Sequence, residues 1–155
     1  MALDKTQPPP SSSATVLVVD DNHDVVDILT RLLTRHGLTA VGAYSGKECL
    51  TVVRSRPVDV IVLDVMMPEM DGLEVCQELK QMSSSIPVIL LTAKDDMATR
   101  AAGMELGVSE FVVKPINNRD LLARIQTQID TRQWERDIDR TSAAIDPSKD
   151  PLTKN

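Results

Sequence analysis

The sequence predicts an α/β fold: a doubly wound, five-stranded parallel sheet in the order 2-1-3-4-5, with helices on both faces. Three observations predict it. Five strand-like runs alternate with five helical patterns along 155 residues. Four of those runs are short and apolar throughout, as strands buried on both faces are. The third observation concerns chemistry. Residues able to do it stand at the carboxyl end of every run but the second, the one that this order puts at an edge, away from the crevice.

Met1 to Ala14 holds Pro8-Pro9-Pro10 and Ser11-Ser12-Ser13. Such a stretch buries little apolar area and reads as a tail. Thr15 to Val19 is the first strand, ending in Asp20-Asp21-Asn22. A helix follows with Val25, Ile28, Leu29 and Leu32 expected inward, and Gly37 is placed to close it. Leu38 to Ala43 is a weaker second strand. Ser45 and Glu48 have capping-box spacing, so the second helix starts there and runs to about Arg54.

The third strand, Asp59 to Leu63, organises the rest. It is aliphatic, it delivers Asp64 into a loop, and Pro68 prevents the ladder from continuing. Asp71 is a good N-cap for a third helix from about Gly72 to Met82, with Leu73, Cys76 and Leu79 inward. Pro87 to Leu91 is the fourth strand, ending in Thr92-Ala93-Lys94. The fourth helix, roughly Asp95 to Leu106, offers only a thin inner face of Met97, Ala98, Ala101, Ala102 and Met104, which suggests a loosely held element. Glu110 to Val113 is the fifth strand, ending in Lys114-Pro115. The fifth helix starts near Asn117 or Asn118 and carries Leu121, Leu122, Ile125 and Ile129 at helical spacing.

These elements divide the chain into a tail over 1–14, one domain over 15–130, and an extension with a disordered end over 131–155. Trp134, Ile138 and Ile145 form a narrow stripe in the extension. It reads equally as a continuation of the fifth helix, able to signal or to dock on a partner, and as a frayed charged end.

Composition excludes several classes. No apolar run approaches membrane-span length, and the N-terminus has no apolar signal core. A cytoplasmic location is therefore expected. Cys49 and Cys76 lack metal spacing and read as free buried thiols in a reducing compartment. A net charge of −6 repels phosphates, so direct nucleic-acid binding is not expected. There is no Walker loop or Gly-rich dinucleotide fingerprint.

Asp64 alone would be a turn former or a cap. Its company changes that reading. The strand ends bring Asp20, Asp21, Asp64, Thr92 and Lys114 to one crevice. Three carboxylates there repel one another, and one ammonium cannot balance them. Oxygen ligands without His or Cys point to Mg²⁺, with Mn²⁺ as the alternative. A carboxylate in such a place can act as a nucleophile and become an aspartyl phosphate. His23, though next to the acid pair, reads as a solvated residue of the first helical turn.

The acid pair Asp20-Asp21, the Asp64 loop with Met67-Pro68 and Asp71-Gly72, Thr92-Ala93, and Phe111-x-x-Lys114-Pro115 together resemble the receiver domain of two-component response regulators, with its flavodoxin-like fold. The resemblance covers about Thr15 to Ile129. It implies that Asp64 is the phosphoacceptor, charged by a histidine kinase or a phosphotransfer protein. It implies that Asp20, Asp21 and Asp64 hold Mg²⁺ with the backbone carbonyl of Met66. Thr92, Ala93 and Lys114 would contact the phosphoryl group, Thr92 and Phe111 would form a switch pair, and the Lys114-Pro115 bond would be cis. The output would be a protein-interaction face built from helix four, strand five and helix five, and the chain itself would be no turnover enzyme.

Two departures matter. Ser109-Glu110 stands where many DNA-binding regulators carry two acids, and Phe111 replaces the commoner Tyr, which puts the salt-bridged dimer of that subclass in doubt. A phosphorylation-dependent homodimer stays open. An apolar Met66 beside Asp64 should hinder an attacking water and slow the loss of phosphate. Two alternatives are carried. One is a receiver cut from a longer regulator or hybrid kinase. The other is an aspartate-nucleophile phosphatase of the haloacid dehalogenase type, which would need a second Asp where Met66 stands.

Overall fold

The computed structural model describes residues 13–93 and 95–144, and for 139–144 the backbone only. Its elements are β1 (Thr15–Val19), α1 (His23–Arg35), β2 (Thr39–Ala43), α2 (Gly46–Ser55), β3 (Val60–Asp64), α3 (Gly72–Gln81), β4 (Val88–Thr92), α4 (Met97–Glu105), β5 (Glu110–Val113) and α5 (Asn118–Ala144). The five strands form one sheet in the order β2-β1-β3-β4-β5, and every neighbouring pair is parallel.

Alternation along the strands splits the core into two layers. Leu17, Val19, Ile61, Leu63 and Leu90 face α2 and α3, where they meet Cys49, Leu50, Val75, Cys76 and Leu79. Val16, Val18, Val60, Val62, Ile89 and Leu91 face the other way, against Val26, Leu29 and Leu33 of α1 and Leu121, Ile125 and Ile129 of α5. Each fully buried leucine or isoleucine stabilises the fold by about 2 kcal/mol relative to an exposed one. Both cysteines are free and buried, and burial first of all pushes each thiol up to about 12.

The helix caps follow local chemistry. Asn22 caps α1 by accepting from the Asp24 and Val25 amides. Asp71 and Glu74 form a reciprocal capping box on α3. Ser45 accepts from the Glu48 amide at the start of α2. His36 ends α1, its Nδ1 lying 2.9 Å from the Leu32 carbonyl oxygen. Gly37 and Gly107 follow α1 and α4 with φ of +81° and +84°, the left-handed region glycine enters without a Cβ penalty.

Three expectations about faces need correction. In α1 the buried stripe is Val26, Leu29 and Leu33, and Ile28 is 57% exposed. Leu29 is inward as expected, and Val25 and Leu32 are half-buried at the edge of that stripe, so Ile28 is the residue misplaced. In α4 the expected anchors Met97 and Met104 are 67% and 69% exposed, and Gly103 is the buried residue. A Cβ at Gly103 would lie 2.9 Å from Phe111 Cε1, so the ring occupies the space that a larger anchor would need. The third correction is at the N-terminus, where Ala14, expected in the tail, is already buried and accepts a hydrogen bond from the Thr39 amide.

Helix α5 runs without a break to Ala144, so Trp134 and Ile138 continue it. Ile145 and the expected disordered end lie outside the described residues, as does the part of the tail before Ser13.

Candidate functional site at the carboxyl end of the sheet

β1 and β3 are adjacent and in register, Val19 opposite Leu63, so their last residues enter loops side by side. That register brings Asp20 and Asp21 to Asp64, with one carboxylate oxygen from each lying within 4.8 Å of the others. Asp20 and Asp64 are 3% and 2% exposed, whereas Asp21 is open to solvent. The Asp20 carboxylate also accepts the Asn22 amide at 2.9 Å. Burial raises the Asp20 pKa. The Asn22 amide opposes that shift, Asp64 adds to it, Lys114 opposes it, and Asp21 adds to it.

Lys114 arrives from the adjacent side. Its amide donates to the Thr92 carbonyl oxygen at 2.8 Å, fixing the end of β5 beside the end of β4. Its ammonium lies 2.6 Å from Asp64 Oδ1. The following Lys114-Pro115 peptide is cis, as the family pattern implies. Asp64 pairs with Leu91 across β3 and β4, and Thr92 stands one residue further on. The Thr92 hydroxyl is buried and makes no hydrogen bond. A buried hydroxyl without a partner is costly and marks a place where a ligand acceptor fits.

The β3–α3 loop is held tightly. The Gly72 amide donates to the Val65 carbonyl oxygen at 2.9 Å. A Cβ at Gly72 would lie 2.7 Å from the Asp64 carbonyl oxygen and 2.8 Å from Val65 Cα, so only glycine lets α3 start this close to the acid-bearing strand end. Met66, two residues after Asp64, is 72% exposed.

Of the residues singled out in the sequence, Asp20, Asp21, Asp64 and Lys114 converge and Thr92 lies beside them. Ala93 follows Thr92 at the surface, its carbonyl accepting the Asp96 amide. Phe111 is elsewhere: it pairs with Leu90, packs on the α2–α3 side of the core and touches the Gly103 position of α4. Two features escaped the sequence reading. His23 is exposed, as expected, but its ring stacks on Tyr44 at 3.9 Å between centroids. Gly72 makes the main-chain contact just described. The Asp71-Gly72 pair after a strand was a signal for it, one first read only as a helix start.

Three acids gathered around one ammonium leave a site with excess negative charge, able to hold a divalent cation by oxygen ligands. Comparison with known proteins gives the arrangement its class. Residues 16–126 match the response regulator receiver domain model, and the chain belongs to that family. Receiver domains are signalling domains and not turnover enzymes. Response regulator MprA of Mycobacterium ulcerans is 39% identical over 142 residues, which cover 90% of this chain and 61% of that protein. The chain thus spans about three-fifths of that relative's length. Among solved structures, the Francisella response regulator 1452 receiver domain is 28% identical, with a TM-score of 0.73 over 77% of this chain and 98% of that one. A crystal structure of adenylate cyclase from Rhodopirellula baltica is 27% identical, with a TM-score of 0.78 over 86% of this chain and 99% of that one. No described helix is long and apolar enough to cross a membrane.

Proposed function

We propose that this receiver takes a phosphoryl group on Asp64 from the phosphohistidine of a histidine kinase or a phosphotransfer protein, and that the phosphate switches a protein-interaction surface. The observation that carries the reading is the cluster of Asp20, Asp21 and Asp64 carboxylates within 4.8 Å, with Lys114 on Asp64 and the unpartnered Thr92 hydroxyl beside it. A carboxylate oxygen of Asp64 attacks phosphorus, and the bond from phosphorus to the donor imidazole breaks as the new P–O bond forms. Asp20, Asp21, Asp64 and the Met66 backbone carbonyl would hold Mg²⁺, which supplies the positive charge that phosphoryl transfer between anions requires. Lys114 follows the transferred group, its ammonium passing from the free carboxylate to a phosphoryl oxygen. Thr92 gains the acceptor it lacks.

Once Thr92 moves toward the phosphate, the Phe111 ring can turn into the vacated space. Before that turn the ring packs against Gly103 of α4, where a Cβ would lie 2.9 Å from Cε1. Phosphate then shifts a pre-existing equilibrium, read out on the α4, β5 and α5 face. A second reading is favoured by the coverage of MprA: a receiver working as part of a longer regulator or hybrid kinase, with a downstream output of its own.

The test is intact mass after incubation with Mg²⁺ and acetyl phosphate. The parent gains one phosphoryl group and Asp64→Asn gains none. An equal gain in both, or a gain in neither with the cation present, overturns the reading. Met66→Asn, by admitting water beside the phosphate, is expected to speed its loss by roughly tenfold, about 1.4 kcal/mol in barrier. The decay of phosphorylated protein measures this. Light scattering before and after phosphorylation decides whether a homodimer forms.

A further inference from the structure

At the opposite end of the sheet from the acid cluster, a cavity of about 410 Å³ lies between α5 and the loops that enter β4 and β5. That volume is in the range of small-molecule sites. Its α5 wall carries Arg132, Glu135 and Arg136. The Arg132 guanidinium donates to the Ser85 carbonyl oxygen at 2.9 Å, while its Nε–H is buried and makes no hydrogen bond. Asp59 Oδ1 lies 3.8 Å from that nitrogen, beyond hydrogen-bond reach, and 3.2 Å from Arg136. One carboxylate therefore faces two guanidiniums, and one positive charge is left over. Burial first and Arg136 second lower the Arg132 pKa, so the two cations repel. Glu135, exposed, is the one acid in the lining, and its opposing pull on Arg132 is weaker than that of Asp59.

We propose that this cavity binds a phosphate monoester of a small polyol, with its phosphate on Arg132 and Arg136. Guanidiniums match phosphate oxygens with paired N–H donors. The unused Arg132 Nε–H is a buried donor that such an oxygen satisfies. The rest of the lining suits a hydroxyl-bearing body. The Ser109 and Thr131 hydroxyls have no partner among the described residues. Gln128 donates from its amide nitrogen to Glu110 at 2.8 Å, which leaves its side-chain oxygen to accept. A net charge of −6 repels long polyanions, but a single phosphate feels mainly the charges within a screening length of about 8 Å. The ligand would touch α5 on one side and the loops entering β4 and β5 on the other. Between 130 and 138, α5 buries no apolar side chain. Binding would thus add to the polar contacts that fix these outer turns to the body. None of this depends on whether Asp64 carries a phosphate.

The test is a calorimetric titration of glycerophosphate into the metal-free full chain, beside glycerol and inorganic phosphate. One site with a Kd of about 1 mM or tighter is expected for the ester. Inorganic phosphate should bind about tenfold more weakly, and glycerol should give no saturable heat. Binding of the ester should weaken between about 0.05 and about 0.5 M salt. Arg136 is half-exposed, so Arg136→Gln keeps the fold and should weaken binding by about tenfold. Glu135→Gln removes the opposing acid and should tighten it by about threefold. Lys114→Gln, at the other end of the sheet, should leave it unchanged. A saturating amount of ester should also raise the Tm of the parent and not that of Arg136→Gln. No heat with the ester, equal binding of glycerol or inorganic phosphate, or parental affinity in Arg136→Gln overturns the proposal. So does loss of binding in Lys114→Gln, because the anion then sits at the acid crevice.

Discussion

The two ends of β3 carry opposite electrostatic arrangements. At its carboxyl end three carboxylates gather around one ammonium. At its amino end a single carboxylate, Asp59, serves two guanidiniums and also accepts the Thr15 amide at 2.8 Å. Arg132 has its pKa lowered there, by burial first and by Arg136 second. The amino end is a closed structural joint that fixes β1, β3 and α5 to one another. The carboxyl end instead gathers three carboxylates on one ammonium, an excess of negative charge, with the Thr92 hydroxyl donor still unused beside it.

The comparison makes opposite predictions for removing one carboxylate. Asp59→Ala should destabilise the protein by about 2 kcal/mol, because it takes an acceptor from the largely buried Arg132 guanidinium and from the Thr15 amide. The denaturant midpoint measures it, and an unchanged midpoint would break the contrast. Asp20→Asn should do the reverse in metal-free buffer, stabilising by about 1 kcal/mol: the amide oxygen still accepts from Asn22 while a repelling charge is gone. Loss of stability with chelator present would mean that the acid cluster is not strained.

A smaller effect concerns pH. Cys49 and Cys76 rise from a usual 9.0 to about 12 on folding. Between those values the unfolded chain has lost thiol protons that the native state retains, so stability falls as pH rises from 9 toward 12. At pH 8 both thiols should resist a thiol reagent until denaturant is added. Prompt labelling of the folded protein would contradict this.

Most of the site was legible in the sequence because strand ends need only chain order and a sheet order to be placed. Asp20, Asp64, Thr92 and Lys114 each terminate or follow a strand, and parallel register carries them together. What escaped depends on distances that no local pattern encodes. That Val26 turns inward in α1 and Ile28 does not is decided by the sheet, not the helix. Gly103 is invisible to a count of apolar anchors, since its role is to leave room for Phe111. Trp134 could be placed on a helical stripe, but that its face stays open follows only from Arg132 and Arg136 occupying the other.

A calorimetric titration of Mg²⁺ into the metal-free protein tests the contrast most directly. A single binding site is predicted for the parent, retained in Arg136→Ala at the amino end of the sheet and lost in Asp20→Ala at the carboxyl end. A parent that binds no Mg²⁺, or an Asp20→Ala variant that binds it as the parent does, would contradict the account.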